Sequence, residues 1–265
     1  LDIILAVKDS ESWHKENLKR HPHHYSGLAQ KIGPSYISQL QRNVGAAMWF
    51  NPLVEVKGRK VKYGVIESSD ALTDLNTWSH FYLAGRMQKP IAVLDTNDEF
   101  TRSIHNNCVA ALSTALLISP SGSLKMSDLY ATIAELSYAG DPRMSAGAED
   151  PDKVKKLVGA KGALERWEGL YGNFIEEIGD VVSRSSGEGV EWEYDNESAR
   201  ERLFGLLPDS VRSKARSNEG PKIASAIESI VATSAGSQSV KGLLTAGPWR
   251  SLVYAWDKLR KGVLK

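Results

Sequence analysis

The sequence predicts an α+β protein, and three observations carry that prediction. Strand and helix patterns alternate through the first hundred residues. The middle of the chain is dominated by apolar residues at helical spacing, and the last segment is a basic, tryptophan-bearing amphipathic stretch. The first hundred residues alone admit α/β or α+β, and the helical remainder makes α+β the class of the whole chain.

Leu1 to Val7 is a nearly continuous apolar run, the pattern of an interior strand, broken by one acid at Asp2. A chain seldom begins in mid-core, so residues upstream of Leu1 are expected. Val54 to Ile66 reads as a hairpin turning at Gly58, with Val61, Tyr63 and Val65 on one face. Asp70 to Tyr82 reads as a helix and Pro90 to Leu94 as a further strand. Ile104, Cys108, Ala111, Leu112, Ala115 and Leu116 then recur at helical spacing until Pro120. Ser127 is the expected cap of a second helix carrying Leu129, Ile133 and Leu136, and Asp150-Pro151 the expected start of another. Leu164, Trp167, Tyr171, Phe174, Ile178 and Val182 form one long stripe, followed by a polar linker over 183–191. The expected division is 1–100, 101–215 and 216–265.

Composition limits the function classes. The chain has 265 residues and a net charge of +1, so no global basic field points to nucleic acid. A single cysteine, Cys108, excludes an internal disulfide and makes a cysteine-based zinc site a poor fit; it reads as core. No stretch approaches the roughly 18–20 apolar residues of a membrane span. Walker A, G-x-G-x-x-G, H-E-x-x-H and G-x-S-x-G patterns are absent. His14, His21, His23 and His24 cluster, but no cysteine or acid completes a familiar zinc spacing.

A polar constellation remains. A carboxylate within an apolar strand is costly unless paired or bound to a metal, which singles out Asp2. Lys62 lies in a strand beside Gly64, where a ligand could approach the backbone. The pair is either a structural ion pair across neighbouring strands or an acid holding a divalent ion beside a lysine meeting a phosphate. Near the C-terminus Trp249, Leu252, Val253, Trp256, Leu259 and Val263 share a helical face bordered by Arg250, Lys258, Arg260, Lys261 and Lys265. That suits a helix lying in a membrane interface; a packed terminal helix with a solvated basic side is the alternative.

Several blocks together resemble one family. Asp2-Ile3-Ile4-Leu5-Ala6-Val7, Trp13-His14, Asn17-Leu18 and His24-Tyr25-Ser26 are followed by Phe50-Asn51-Pro52, Lys62-Tyr63-Gly64-Val65 and Leu83 to Pro90. Leu136 to Met144, Gln238 to Gly242 and Thr245-Ala246-Gly247 complete the series. Their order and content are similar to the mitochondrial translocator assembly and maintenance family, whose members are phosphatidate cytidylyltransferases. The resemblance implies a nucleotidyltransferase-like mixed-sheet domain, a winged-helix-like helical domain and a C-terminal membrane-associating segment. It also implies CTP plus phosphatidate giving CDP-diacylglycerol and pyrophosphate, with Mg2+, for cardiolipin synthesis at the matrix face of the mitochondrial inner membrane.

On that resemblance Asp2 holds magnesium and Lys62 stabilises phosphate charge. Arg86 and Lys89 bind triphosphate or phosphatidate, or else form a solvated helix end. His24 and Tyr25 contact the cytidine, or else form a partly buried polar pair. Asn51 is a further base or sugar contact, and Asp141 and Arg143 complete the cleft or merely brace their loop. Trp13, Trp49 and Trp78 are assigned to packing. Partners are CTP, phosphatidate and an anionic membrane surface, with a homodimer compatible. Two features depart from the family: its glycine-serine motif does not precede Asp2 in this sequence, and Ile4 stands where a second metal-binding acid is usual. The competing reading is a non-catalytic membrane-protein assembly factor with a degenerate nucleotidyltransferase domain.

Overall fold

The computed structural model describes residues 1–145, 147, 150–185 and 189–246. Among the described residues six strands are present: β1 (Asp2–Val7), β2 (Met48–Val56), β3 (Arg59–Glu67), β4 (Ser123–Lys125), β5 (Val182–Arg184) and β6 (Gly189–Trp192). The helices of the first half are α1 (Ser10–Arg20), α2 (Gly27–Asn43), α3 (Ser68–Thr77), α4 (Ala84–Met87), α5 (Asp98–Ile118) and α6 (Met126–Leu136). Those of the second are α7 (Pro142–Ser145), α8 (Lys153–Gly159), α9 (Ala163–Glu177), α10 (Glu197–Gly205), α11 (Asp209–Ala215) and α12 (Gly220–Ala246). The chain is therefore α+β, and its described residues fall in two compact units: 1–72 with 234–246, and those within 73–233.

The first unit is built on a mixed sheet of order β1-β3-β2, in which β1 runs parallel and β2 antiparallel to β3. The hairpin turns at Lys57-Gly58, both left-handed (φ 48° and 74°), the conformation that a two-residue turn needs to match strand twist. Val61, Tyr63 and Val65 are buried as the alternation predicts. β1 differs from its prediction as an interior strand. It pairs with β3 alone among the described residues, and Asp2, Leu5 and Ala6 are exposed, because a strand with one neighbour keeps an open side. Two apolar clusters anchor this unit, one of Tyr25, Ala29, Ile37 and Trp49, the other of Val54, Tyr63 and Val65 with Trp13 packed against it. Gly64 leaves no opening for a ligand: a Cβ there would lie 2.7 Å from the Phe50 ring and 2.8 Å from Met48 Sδ. The Gln238 carboxamide accepts from Ala46 N (3.0 Å) and donates to Met48 O (3.1 Å), and Lys241 Nζ donates to Gln41 O (3.2 Å) and Val44 O.

The second unit packs around α5, which is buried along most of its length. Tyr130, Trp167 and Tyr171 stack in sequence at 5.4 and 5.8 Å between ring centroids. A second sheet of order β4-β6-β5 lies in this unit. Cys108 is core, and burial pushes its thiol up to about 12.

Several local expectations are corrected. The helix over 70–82 is Ser68–Thr77 and stops where the Asp74 carboxylate captures the chain beyond it. Residues 90–94 form no strand; Ile91, Val93 and Leu94 are exposed with no ladder to join. Lys125, not Ser127, caps α6, and Ser127 Oγ reaches the Asp128 carboxylate instead. The helix expected from 150 starts at Lys153 behind Asp152. The long stripe ends with α9, since Leu164 is exposed and Val182 belongs to β5. The linker over 183–191 contributes strand residues to β5 and β6.

Candidate functional site

Two polar sites arise, one in each unit. In the first unit, parallel pairing sets Asp2 directly opposite Lys62, and Lys62 Nζ lies 3.8 Å from the carboxylate. Lys62 also sits 4.3 Å over the Phe50 ring. Asp2 is not the costly buried acid inferred from its apolar surroundings: its side chain is 77% exposed, at the open margin of the sheet. An ion pair with so exposed a carboxylate adds little stability.

Behind them runs a hydrogen-bonded chain of aromatic and amide groups. His14 Nε2 meets Gln41 Oε1 and His14 Nδ1 meets the Tyr25 hydroxyl, both at 2.8 Å. Asn17 Nδ2 donates to the hydroxyls of Tyr25 (2.9 Å) and Tyr63 (2.8 Å), and His24 Nδ1 lies 2.9 Å from Tyr63 Oη. Burial lowers His14 to about 4, with the Gln41 bond opposing, so its ring is neutral at physiological pH. A neutral ring opposite a carbonyl carries its proton on Nε2 and accepts from Tyr25 at Nδ1. Burial raises both phenols, keeping them protonated. Tyr25 is buried and its hydroxyl engaged, so it offers no open stacking face. Asn51 is also buried and accepts from the Trp49 indole at 3.1 Å. His24 is the partly exposed end of the chain.

In the second unit Arg86 and Lys89 belong to the segment 84–89. Arg86 lies 3.9 Å over the Tyr82 ring and donates to Tyr82 O at 2.6 Å. Lys89 Nζ donates to Gly85 O and to Ser137 Oγ (2.7 Å). Lys89 and Lys153 approach the Tyr138 ring at 5.1 and 5.0 Å. Burial, reinforced by the Arg86 and Lys153 charges, lowers the Lys89 amine to about 7. Asp141, also buried, holds Arg143 through both carboxylate oxygens, with Nη2 at 2.6 Å and Nε at 3.0 and 3.1 Å. Burial pushes the Asp141 carboxyl up, but the Arg143 bonds and the Arg143 and Lys153 charges outweigh it and leave it below the ordinary range. The Arg86 and Lys153 charges thus oppose protonation of Lys89, while the Asp141 carboxylate answers Arg143 and Lys153.

The sequence reading missed four contributors here. Lys153 and Asp74 carry no role in the sequence reading, and Ser137 and Tyr138 enter it only within the family-like block Leu136 to Met144. The buried Asp74 carboxylate accepts five backbone N–H groups, from His80 through Ala84, at 2.8–3.1 Å. Asn107 Nδ2 then donates to Ala84 O, and Tyr171 Oη donates to Gln88 O, holding α4 in place.

Two outcomes follow. A Cβ on Gly85 would lie 2.4 Å from Ser137 Cβ, so Gly85→Ala must separate the two acceptors of Lys89. A loss of about 1–3 kcal/mol is expected, read by urea unfolding. Lys89 and Lys241 both have amines lowered to about 7, Lys241 by burial alone, against the ordinary 10.5. Between those values the unfolded chain binds more protons, so stability rises as pH increases from about 7 towards 10.5. Urea midpoints at pH 7 and 9.5 check this, and Lys89→Met or Lys241→Met should flatten the rise.

The expected membrane-binding residues Trp249, Arg250, Trp256, Lys258, Arg260 and Lys261 lie outside the described residues. Among the described residues no helix is long and apolar enough to cross a membrane.

Comparison with known proteins gives a consistent match. The family described as "Phosphatidate cytidylyltransferase, mitochondrial" matches residues 1–224 and 215–261. A Schizosaccharomyces pombe protein of that name is 34% identical over 295 residues, covering 100% of this chain and 75% of the relative. The Mus musculus protein of the same name is 34% identical, covering 98% of this chain and 83% of its own. A Drosophila melanogaster relative, again so named, is 31% identical with 98% and 84% covered.

Proposed function

Because this chain belongs to the family of mitochondrial phosphatidate cytidylyltransferases, we propose that it transfers the cytidylyl group of CTP to phosphatidate. The observation that carries the reading is a family match running the length of the chain rather than over one motif. A phosphate oxygen of phosphatidate attacks the α-phosphorus of CTP; the new P–O bond forms as the bond to the β-phosphate oxygen breaks and pyrophosphate leaves. Such transfers need chiefly positioning and charge neutralisation.

Asp2 is the group offered to a magnesium ion. It is an exposed carboxylate beside a lysine, and among the described residues no three acids converge. That donor set fits an ion held by one carboxylate with substrate phosphates completing its shell. Magnesium would neutralise charge on the triphosphate. Lys62 meets a phosphate oxygen at the same margin. His24, oriented by Tyr63 and Asn17, faces the cytidine, and Tyr25 and Asn51 hold that wall in place. In the second unit Arg86, Lys89 and Arg143 bind substrate phosphate, with Asp141 fixing the Arg143 fork.

The first sheet with its helices serves as a nucleotidyltransferase-like domain, and the β4-β6-β5 sheet with α5, α6 and α9 as a winged-helix-like one. The segment from Trp249 to Lys265 binds the anionic matrix face of the inner membrane, where the product feeds cardiolipin synthesis. Removing that segment should abolish flotation with cardiolipin-containing liposomes; unchanged flotation would count against an interfacial helix.

The decisive assay incubates labelled CTP, phosphatidate vesicles and magnesium with the protein. Label in a chloroform-soluble product is expected. No lipid label, together with no thermal stabilisation by CTP, would favour a non-catalytic assembly factor.

A further inference from the structure

The chain between α1 and α2 makes a single 3₁₀ turn, Pro22–His24, preceded by His21. Pro22 at its first position presets the backbone. The turn is closed by His24 N to His21 O and Tyr25 N to Pro22 O, both at 3.0 Å, and braced by Gln30 Nε2 donating to Pro22 O at 2.9 Å. Side chains three residues apart eclipse in a 3₁₀ turn. His21 and His24 accordingly stack, with centroids 4.9 Å apart and planes at 12°. His23 meets both edge-on, at 6.0 Å from His21 and 4.6 Å from His24. One ring nitrogen from each of the three residues lies within 4.8 Å of the other two. His14, which shares the histidine-rich stretch in sequence, is buried elsewhere against Tyr25 and Gln41.

We propose that His21, His23 and His24 form a site for a divalent transition metal of the zinc class, separate from the magnesium ion proposed at Asp2. Three imidazoles suit zinc, copper or nickel and are poor ligands for magnesium, which prefers oxygen. Tetrahedral zinc at about 2.0–2.1 Å holds its nitrogens about 3.4 Å apart, so the exposed His21 and His23 rings must turn out of the stacked arrangement to aim their in-plane lone pairs at one point beside His24. His24 is fixed from behind by the 2.9 Å contact of Nδ1 with Tyr63 Oη, and Tyr63 is itself held by Asn17 at 2.8 Å. With Nδ1–H donating to that hydroxyl, Nε2 is the nitrogen that carries the lone pair a metal would use. This is the outer-shell arrangement that orients metal-bound histidines. Three protein ligands leave a fourth position for water or a small anion.

The inference does not depend on the cytidylyltransferase reading, and its test uses no nucleotide. Zinc is titrated into the whole chain against a chromophoric chelator in excess magnesium, and cobalt(II) is added in parallel for its ligand-field spectrum. One tightly held zinc per chain is expected, with a cobalt spectrum of tetrahedral intensity. The doubly substituted His21→Ala/His23→Ala chain, changed only at exposed positions, should retain its circular dichroism and lose at least about 100-fold in affinity. Tyr63→Phe should keep the ligands and lose about 10- to 100-fold through its outer-shell role. Zinc binding equal in the wild-type and doubly substituted chains, or a cobalt spectrum no different from that of the aquated ion, would overturn the site.

Discussion

Asp2→Ala is expected to reduce cytidylyl transfer about a thousandfold while leaving stability within about 0.5 kcal/mol. The two halves of that expectation come from the same geometry. The carboxylate is 77% exposed, and the Lys62 amine is 3.8 Å away. Pairs of this exposure contribute between nothing and about 1 kcal/mol. On the proposed role of Asp2, the rate effect comes from withdrawing the protein's ligand to an ion that would neutralise phosphate charge in the transition state. A loss of several kcal/mol corresponds to about three powers of ten. Asp2→Asn, which keeps the shape and removes the charge, should fall nearly as far. Urea unfolding and the labelled-CTP assay on the same preparation decide the matter. Full activity in a folded Asp2→Ala protein would remove Asp2 from the chemistry.

Asp74→Ala should have the largest effect on stability, a loss of about 3–5 kcal/mol. The carboxylate is 2% exposed and accepts the N–H groups of five successive residues, His80 through Ala84. Each buried donor left without a partner costs about 1–3 kcal/mol, and the effects are not additive because the loop can relax. The same segment holds Trp78 and Phe81 at φ 51° and 52°, a left-handed conformation that is unfavourable for side-chain-bearing residues. Asp74 over-determines that strain, and the loop it ties down delivers Arg86 and Lys89. For a unit of this size the expected fall in melting temperature is about 10 °C. Lys89 should lose its depressed amine titration as the loop relaxes. A melting temperature within about 2 °C of wild type would show that the five contacts are replaceable.

Features that depend on neighbours in sequence were legible from the sequence. The hairpin at Gly58, the buried face of β3, the long α5 helix and the core role of Cys108 follow from alternation, turn chemistry and helical spacing. The series of family-like blocks likewise pointed to the family that the full-length comparison supports. What failed were judgements that depend on which element lies alongside. Apolar residues in β1 suggested an interior strand, but exposure is set by how many strands flank it, and Asp2 stands at an open margin. Residues 90–94 have the composition of a strand and no partner ladder. The parallel register sets Asp2 opposite Lys62, as both readings of the pair assumed.

The sequence by itself thus determined the family, the α+β class and most helical segments, because local periodicity and residue chemistry act over a few positions. Only the tertiary structure decided that Asp74 anchors five amides, that Lys89 and Lys153 share Tyr138, and that three of four clustered histidines face one another while His14 turns inward. Those arrangements depend on strand register, on burial and on the eclipsed geometry of one short turn, none of which a spacing of letters specifies.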